Sequence, residues 1–329
     1  IVSVYNKTKV VDLRSVYKKE LGTDISDKIN AYVKMNSYTI YNDSTNKALS
    51  TDEEKAILAN RNLDNIPSIV INEFGIVTSF AWLRAYPTNY YAKDYSMDRF
   101  QETSLNVGEG VVISHTSSDG LWYFVQAENY NGWIEAKYVA KCAYEEMIEF
   151  LYPTNNLVVI SDYVKFDNEH VRMGQSFPLV ENNDNSYVIF YPTRTTEGNL
   201  LLKSLTLGKT DDYHVGYLEY TYKNVFKQAF KLLGIDYSWG DKEKDGRDCS
   251  STMNAIYNSF GFMMPRNTSN QVAIPTYGLY LIPSQIKNKE LAFKILKTRL
   301  YDLKLREQEE KELSIVNIID EDNVYKTEN

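Results

Sequence analysis

Short β-branched and aromatic runs alternate with turn sequences between about residues 76 and 140. The runs GVVISH, LWYFVQAENY and NGWIEAKYVA are separated by turns such as SSDG and YNG. Closely spaced short strands of this kind predict a small barrel, which Trp122 and Trp133 would fill or rim. A second β-rich block of the same texture follows from about residue 152 to residue 209.

The hydrophobic period becomes helical after Tyr217. TYKNVFKQAFKLLG predicts an amphipathic helix with Thr221 as its cap, Gly234 as its stop and a broad apolar face. The members of that face are Val225, Phe226, Ala229, Phe230, Leu232 and Leu233. Upstream, STDEEKAILANRNL predicts a helix capped by Ser50 or Thr51, and residues 1–75 are expected to be mixed and mostly helical.

A second C-terminal helix is predicted over CSSTMNAIYNSFG, capped by Asp248 and stopped by Gly261. Cys249, Met253, Ile256 and Phe260 recur at helical spacing, which places the cysteine on an inward stripe. Two interpretations of Cys249 stay open on these residues alone. It is either the first apolar residue of a buried helix or a thiolate stabilised at a helix start.

The composition and net charge of the chain argue against some classes of function. The 329 residues carry a net charge of -8 and form no basic stripe, which argues against nucleic acid as a partner. No apolar run is long enough to cross a bilayer, and the first residues lack the charged and apolar regions of a signal peptide. The two cysteines, Cys142 and Cys249, do not form a disulfide framework. The 27 tyrosines suit either strands or a surface for sugars and peptides.

An ordered set of motifs resembles the NlpC family of papain-like cysteine peptidases, which act on the bacterial cell wall. These motifs are YSWG, RDCSS and FGFMMPRNTSNQ, with GYLEYTYKNVFKQAFKLLG upstream. The two β-rich blocks are similar to the paired bacterial SH3 domains of multidomain members. The resemblance covers about residues 82–271 and implies hydrolysis of the γ-D-glutamyl-diamino acid bond in peptidoglycan stem peptides.

The resemblance implies roles for matching positions. Cys249 would be the nucleophile, and its backbone amide would help to stabilise the oxyanion. Asp248 and Ser250 would hold the free amino terminus of the peptide, although Asp248 is equally well explained as a helix cap and Ser250 as a first-turn residue. Tyr86, from the first SH3-like domain, would close the site. No metal or organic cofactor is implied, and no cluster has metal-ligand spacing.

The sequence departs from the family after the cysteine. The family's catalytic histidine lies downstream of the cysteine, whereas all three histidines here, His115, His170 and His214, precede it. The residues after about Lys297 are charged and lack glycine, so the C-terminal half of the peptidase domain is expected to be missing or degenerate. A non-catalytic wall-peptide-binding module, or a gene product without function, is therefore an alternative to a peptidase.

The expected fold class is α+β: two SH3-like β-barrels and an incomplete papain-like domain, preceded by a mostly helical segment. The expected boundaries are an N-terminal segment at 1–75, SH3-like domains at 76–150 and 151–210, a peptidase-like domain at 211–297, and a charged tail at 298–329. The expected partners are peptidoglycan stem peptides or murein fragments. The expected location is the cell envelope or the medium, with cytoplasmic peptide recycling as the alternative.

Overall fold

The computed structural model describes residues 10–42, 45–95, 97–166 and 169–273. The chain divides into two units. Residues 9–271 form one unit; of the other, residues 1–8 with 272–329, only residues 272 and 273 are described. The predicted tail at 298–329, and the predicted loss of the C-terminal half of the peptidase domain, lie outside the described residues.

Helices and strands alternate along the chain, and the fold class is α+β, as predicted. The α-helices are α1 (Gly22–Asn30), α2 (Thr51–Asn60), α3 (Tyr144–Leu151), α4 (Tyr222–Lys231), α5 (Cys249–Asn258) and α6 (Thr268–Ala273). The strands are β1 (Lys19–Leu21), β2 (Thr39–Tyr41), β3 (Ile69–Ile71), β4 (Glu73–Val77), β5 (Ala81–Arg84), β6 (Tyr91–Asp94), β7 (Met97–Asp98), β8 (Gln101–Leu105), β9 (Gly110–Thr116), β10 (Trp122–Gln126), β11 (Asn131–Glu135), β12 (Val139–Cys142), β13 (Asn156–Val159), β14 (Tyr163–Phe166), β15 (Glu169–Arg172), β16 (Ser176–Asn182), β17 (Ser186–Arg194), β18 (Leu200–Gly208) and β19 (Tyr213–Val215).

The first β domain is a seven-stranded antiparallel sheet in the order β12-β4-β9-β10-β11-β5-β8. The predicted boundary after residue 75 falls inside β4, whose residues Glu73 to Ile76 pair with β9. Trp122 and Trp133 are buried, as the strand pattern predicts, and both pack with Phe124. The two tryptophans therefore belong to the core of this domain.

The described part of the N-terminal segment is joined to the first β domain. Ile25 and Ile29 of α1 pack in one cluster with Trp122 and Trp133, and β2 pairs with β6. The segment contains short strands as well as helices: β1 pairs with β3 inside the segment, and β2 is the edge strand of the sheet that it forms with β6 and β7. Ser50 caps α2 and forms a capping box with Glu53, as the sequence predicts.

The second β block has a five-stranded sheet in the order β18-β17-β16-β13-β19 and a hairpin of β14 and β15. It extends past the predicted end at residue 210, since β19 pairs with β13. Its core is continuous with that of the first β domain, because Phe177 packs in one cluster with Phe74, Val112 and Phe150. The two blocks thus share a hydrophobic core. Assignment of the second block as an SH3-like domain stays a prediction.

The C-terminal helices pack against each other and against the second β block. Leu232, after α4, lies in one cluster with Ile256 and Phe260 of the α5 region and with Met173. Thr221 caps α4, as predicted. The broad apolar face predicted for this helix is only partly buried. Phe226, Phe230 and Leu233 are exposed. Val225, Ala229 and Leu232 instead pack in the cluster that contains Ile256 and Phe260.

Candidate functional site at the start of helix α5

Cys249 is the first residue of α5, and its thiol is exposed. The helix begins there because the Asp248 carboxylate accepts hydrogen bonds from the backbone N–H groups of Ser250 and Ser251, at 3.1 and 2.9 Å. It ends near Gly261, whose φ of 72° is favourable for glycine. The predicted helix, cap and stop are confirmed, and the thiol lies where helix amides point outward.

The predicted inward stripe is only half correct. Ile256 is buried, but Cys249 and Met253 face solvent. The buried side of the first turn is polar instead, formed by Ser250 and Ser251. The first turn docks through hydrogen bonds to buried ionic groups, and this docking turns the cysteine outward. The interpretation of Cys249 as a buried core residue is therefore wrong.

Arg266 occupies the space beside the cap. Its guanidinium donates to Asp248 Oδ2 at 2.6 Å and to Ser250 Oγ at 2.7 Å, and its Nε donates to the hydroxyl of Thr103 in β8. Burial alone would raise the pKa of Asp248, but the charge of Arg266 and its hydrogen bonds lower it. Asp248 is thus an ionised carboxylate whose partners are already supplied by the protein.

Two residues with predicted binding roles, Asp248 and Ser250, lie in this arrangement, and both are buried. The Ser250 hydroxyl donates to Asp248 at 3.0 Å and accepts from Arg266. Both side chains therefore take part in the helix cap, and the guanidinium already supplies a positive charge to Asp248. Their predicted role in holding the amino terminus of a peptide stays a prediction.

Tyr86 is not brought to the site. Its ring is buried with Phe100 and Met35, and its hydroxyl donates to the Val33 carbonyl at 2.9 Å. The residue therefore serves the packing between the first β domain and the N-terminal segment. Its predicted role in closing the site is wrong, because the hydroxyl is directed to a backbone partner inside the protein.

A different tyrosine of the first β domain lies beside the site. The Tyr130 hydroxyl donates to the Glu102 carboxylate, and the phenol also interacts with the side chain of Asn267. Asn267 precedes Thr268, whose hydroxyl lies 3.3 Å from Cys249 Sγ. Glu102 and Tyr130 are thus functional candidates that the sequence did not identify. The available signal was Tyr130 in the turn sequence before the β11 tryptophan.

Burial changes the pKa values of both Glu102 and Tyr130. Burial raises the pKa of Glu102, while the hydrogen bond from Tyr130 and the charges of Arg84 and Arg266 lower it in part. Burial and the neighbouring Glu102 raise the pKa of Tyr130 well above its usual value. Within the described residues, no cation lies within 4 Å of the Glu102 carboxylate. The Glu102 carboxylate is therefore bound by a neutral phenol, and a positively charged group beside it would stabilise its ionised form.

The loop before α5 is fixed to the first β domain by three consecutive carbonyls. The pairs are Gln101 Nε2 to Gly240 O at 3.0 Å, Ser104 Oγ to Asp241 O at 2.8 Å, and Trp82 Nε1 to Lys242 O at 2.9 Å. The Asp241 side chain continues the connection, since its Oδ1 accepts from the Asp248 N–H at 3.0 Å. The start of α5 is thus positioned by the first β domain.

The histidines have partners away from the thiol. His115 Nε2 lies 3.1 Å from the Arg61 carbonyl, and His214 Nδ1 lies 2.9 Å from the Gly216 carbonyl. His170 Nδ1 lies 2.9 Å from the Asp245 carboxylate, in the loop that leads to Cys249. In the described part of the chain, Cys249 Sγ has the Thr268 hydroxyl as its hydrogen-bond partner and not an imidazole.

The described residues contain no group of three or more His, Cys, Asp or Glu side chains placed to hold a metal ion. They also contain no helix long and apolar enough to cross a membrane.

Two stretches of the chain match known protein families. Residues 87–135 match the SH3 domain of the SH3b1 type, and residues 234–310 match the NlpC/P60 family. The first match contains Glu102 and Tyr130, and the second contains Cys249 and Arg266. No curated protein matches the sequence.

Two solved structures are similar to this chain, and the first of them shows a similar fold. An NlpC/P60 endopeptidase from Photobacterium damselae subsp. piscicida is 20% identical with a TM-score of 0.61, covering 76% of this chain and 56% of its own. This chain thus spans little more than half of that protein's length. An NlpC/P60 family protein from Bacillus cereus ATCC 10987 is 17% identical with a TM-score of 0.45, over 60% of this chain and 76% of its own. This chain thus contains a stretch similar to the SH3b1-type SH3 domain, followed by a stretch similar to the NlpC/P60 family.

Proposed function

We propose that this chain recognises short, amine-bearing stem peptides of bacterial peptidoglycan in a cleft beside Cys249, in the cell envelope. The NlpC/P60 match over residues 234–310 supports a cell-wall peptidase ancestry, and the exposed thiol at a helix start supports the position of a nucleophile. The Photobacterium protein, which has a similar fold, is an endopeptidase. The bond presented to the thiol would be the γ-D-glutamyl-diamino acid bond.

One observation carries the recognition step. The Glu102 carboxylate is bound by the neutral phenol of Tyr130, whereas the Asp248 carboxylate is already bound by Arg266. A ligand ammonium at Glu102 would form a charge-assisted hydrogen bond in a largely buried site, where such bonds are strong. The ammonium would also lower the pKa of Glu102 and keep the carboxylate ionised.

The chemical step needs a second group. A thiolate can attack a carbonyl and form an acyl-enzyme, and the amide at the helix start can stabilise the oxyanion. Departure of the amine requires an acid to protonate it. His115, His170 and His214 all have other partners, so we propose that this chain binds the peptide and carries a reactive thiol without turning the peptide over.

A hydrolase is the second candidate, and the exposed Cys249 thiol favours it. The deciding assay is mass spectrometry of L-Ala-γ-D-Glu-diaminopimelate incubated with the wild type and with Cys249→Ala. The binding proposal expects an intact peptide in both samples. Cleavage by the wild type alone would establish the hydrolase, and His170→Ala and His214→Ala would then locate the base.

Calorimetric titration tests recognition in the Cys249→Ala background, where turnover cannot interfere. Adding Glu102→Gln should weaken binding of the free-amine peptide by about tenfold or more, the worth of one charge-assisted hydrogen bond. The N-acetylated peptide should bind weakly to both proteins. Glu145→Gln, on the exposed surface of α3, is the matched control. Unchanged affinity after Glu102→Gln would contradict the proposal.

A further inference from the structure

Thr268 lies against the thiol of Cys249. It is the first residue of α6, and its hydroxyl oxygen is 3.3 Å from Cys249 Sγ, a hydrogen-bonding distance for a sulfur atom. Both residues are exposed, so a reagent in solution can reach the sulfur while this contact is in place. The contact joins the starts of α5 and α6, which are 19 residues apart in sequence.

The first β domain fixes the segment that leads to Thr268. Asn129, in the connection between β10 and β11, donates through Nδ2 to the Met264 carbonyl at 3.2 Å. The Arg266 guanidinium is 5% exposed, and its Nε donates to the hydroxyl of Thr103 in β8. Two separate parts of the first β domain therefore set the position of the backbone just before Thr268.

Helix α5 holds α6 from the other side. Gln271 Nε2 donates to the Ser250 carbonyl at 3.0 Å and to the Pro265 carbonyl at 2.8 Å. Thr268 and Gln271 are three positions apart in α6, so their side chains lie on the same face of the helix. That face is directed at the first turn of α5, because the Gln271 amide binds the residue that follows the cysteine. The Thr268 hydroxyl is thus held beside the sulfur by contacts on both sides.

A hydroxyl and a thiolate can share a hydrogen bond in one direction only. The ionised sulfur has no proton, so the Thr268 hydroxyl must be the donor. A hydrogen bond to the charged form of a group favours that form, and it acts here together with the amides at the start of α5. Because α6 holds the hydroxyl, the bond also selects one orientation of the Cys249 side chain.

We propose that Thr268 is a positioning residue for the thiol: its hydroxyl donates to the Cys249 thiolate, stabilises the ionised form and holds the sulfur at the start of α5. The proposal rests on the proposed function only in treating Cys249 as a nucleophile, and Glu102 and its ligand take no part in the contact. The hydroxyl orients the sulfur, as an imidazole partner would, but it supplies no acid for departure of an amine.

Removal of the hydroxyl should have opposite effects at the two ends of the pH range. A hydrogen bond to a charged group changes an equilibrium by roughly tenfold or more, so Thr268→Val should reduce the thiolate population about tenfold where most of the thiol is protonated. Each remaining thiolate should react about threefold faster, because nucleophilicity rises with basicity with a Brønsted coefficient of about 0.4–0.5. The net reaction should be about threefold slower at low pH and about threefold faster at high pH.

Reaction of Cys249 with the neutral reagent dipyridyl disulfide tests this expectation. The parent protein is Cys142→Ala, in which only Cys249 remains of the two cysteines in the sequence. The thiolate attacks one sulfur of the reagent and forms a mixed disulfide, while the other sulfur leaves with the bonding electrons and takes up a proton as thiopyridone. The absorbance of thiopyridone gives the rate from about pH 6 to about pH 10.

Three variants are compared with this parent. Thr268→Val removes the hydroxyl at nearly constant volume, and Thr268→Ser retains it. Thr193→Val is the matched control, since the Thr193 hydroxyl donates to the Leu201 carbonyl at 2.7 Å in the second β block. The valine variant at position 268 should give a pH profile that crosses that of the parent, whereas the other two should follow the parent within about twofold. Thermal unfolding checks that every variant is folded.

Three results would overturn the proposal. Superimposable profiles for Thr268→Val and the parent would show that the hydroxyl does not act on the thiolate. A change by the same factor at every pH would indicate altered access to the sulfur, and a serine variant that matches the valine variant would exclude the hydroxyl as the cause. The assay contains no peptide, so its failure leaves the ammonium site at Glu102 standing, and failure of the Glu102→Gln titration leaves the role of Thr268 standing.

Discussion

Arg266 and Asp248 form a buried ion pair directly behind the exposed thiol. The guanidinium Nη2 lies 2.6 Å from Asp248 Oδ2, and the two side chains are 5% and 9% exposed. The same carboxylate caps α5, so one ionised group both begins the helix and neutralises the arginine. The position of Cys249 thus depends on a charge that faces away from solvent.

Replacing Asp248 with asparagine should destabilise the protein by about 3 kcal/mol, because the buried Arg266 guanidinium would lose its hydrogen-bonded carboxylate and keep the more distant Asp241 Oδ1, 4.0 Å from Nη2. Asparagine is itself a good helix cap, so the loss would report the ion pair rather than the cap. Urea unfolding at pH 7 measures the difference. Asp24→Asn, in the first turn of α1, is the control and should change stability little. A loss as small as that of the control would contradict a structural role for the pair.

The same pair predicts a pH dependence. Because the pKa of Asp248 is lowered in the folded state, its contribution is fully present above the ordinary value of 3.8. The contribution is lost as the pH falls through the folded-state pKa. The free-energy difference between the wild type and Asp248→Asn should therefore be constant from pH 7 to about pH 5 and shrink below about pH 4. A difference that persists unchanged at pH 3 would argue against an ionised Asp248.

Gly240→Ala should loosen the contact between the loop and the first β domain. Gly240 has a φ of 60°, and an added Cβ would lie 2.8 Å from Gln101 Cγ and 3.0 Å from Gln101 O. We expect a loss of about 2 kcal/mol from strain and displacement together. Gly120→Ala is the matched control, since its φ is 72° and nothing lies within 4 Å of the added carbon. Urea unfolding of both variants should show the larger loss at Gly240; equal losses would exclude the Gln101 contact as the cause.

Limited alkylation should distinguish the two cysteines. Burial raises the pKa of the Cys142 thiol to about 12, so little thiolate is present there at neutral pH. Cys249 is exposed at a helix start, so iodoacetamide should modify it first. Peptide mapping by mass spectrometry at short reaction times measures the order, and Cys249→Ser identifies the site. Faster modification of Cys142 would contradict the exposure of the Cys249 thiol.

Glu128 should make the protein less stable as the pH rises. Burial raises its pKa from 4.5 to about 7, although a hydrogen bond from the Tyr152 hydroxyl lowers it in part. Between pH 4.5 and pH 7 the unfolded chain releases the proton and the folded chain retains it, so stability falls by about 2 kcal/mol. Glu128→Gln should therefore be more stable than the wild type at pH 8 and similar to it at pH 4.5. Parallel stability curves for the two proteins would show that Glu128 is not perturbed.

Local spacing predicted the helix at Cys249 because its determinants are adjacent in sequence. Asp248 supplies the cap, and Gly261 permits the left-handed stop. The direction of the thiol was predicted incorrectly, since apolar periodicity assumes that a helix docks by its apolar stripe. The first turn of α5 docks instead by Ser251 and the Asp248 cap on Asp241 and Arg266. Hydrogen bonding between buried polar groups leaves no periodic signal.

Local sequence patterns could not predict the contact between Glu102 and Tyr130, and the reason is different. The residues are 28 positions apart, and β5 lies between β8 and β11 in the sheet. Only the order of the strands in the sheet brings the Glu102 carboxylate close to the Tyr130 phenol, which also contacts Asn267. Tyr86 was chosen from a motif without that order, and it lies in the core beneath the N-terminal segment.

The carbonyls of the loop before α5 have a consequence for the order of folding. Gln101 and Gly240 are 139 residues apart in sequence, and Ser104 and Asp241 are 137 apart. Contacts across such distances require closure of a long chain segment, so they form after local structure does. During synthesis the first β domain emerges before its loop partners exist. The acceptors of Gln101 and Ser104 are synthesised later, and Arg266, which completes the ion pair behind the thiol, is synthesised later still.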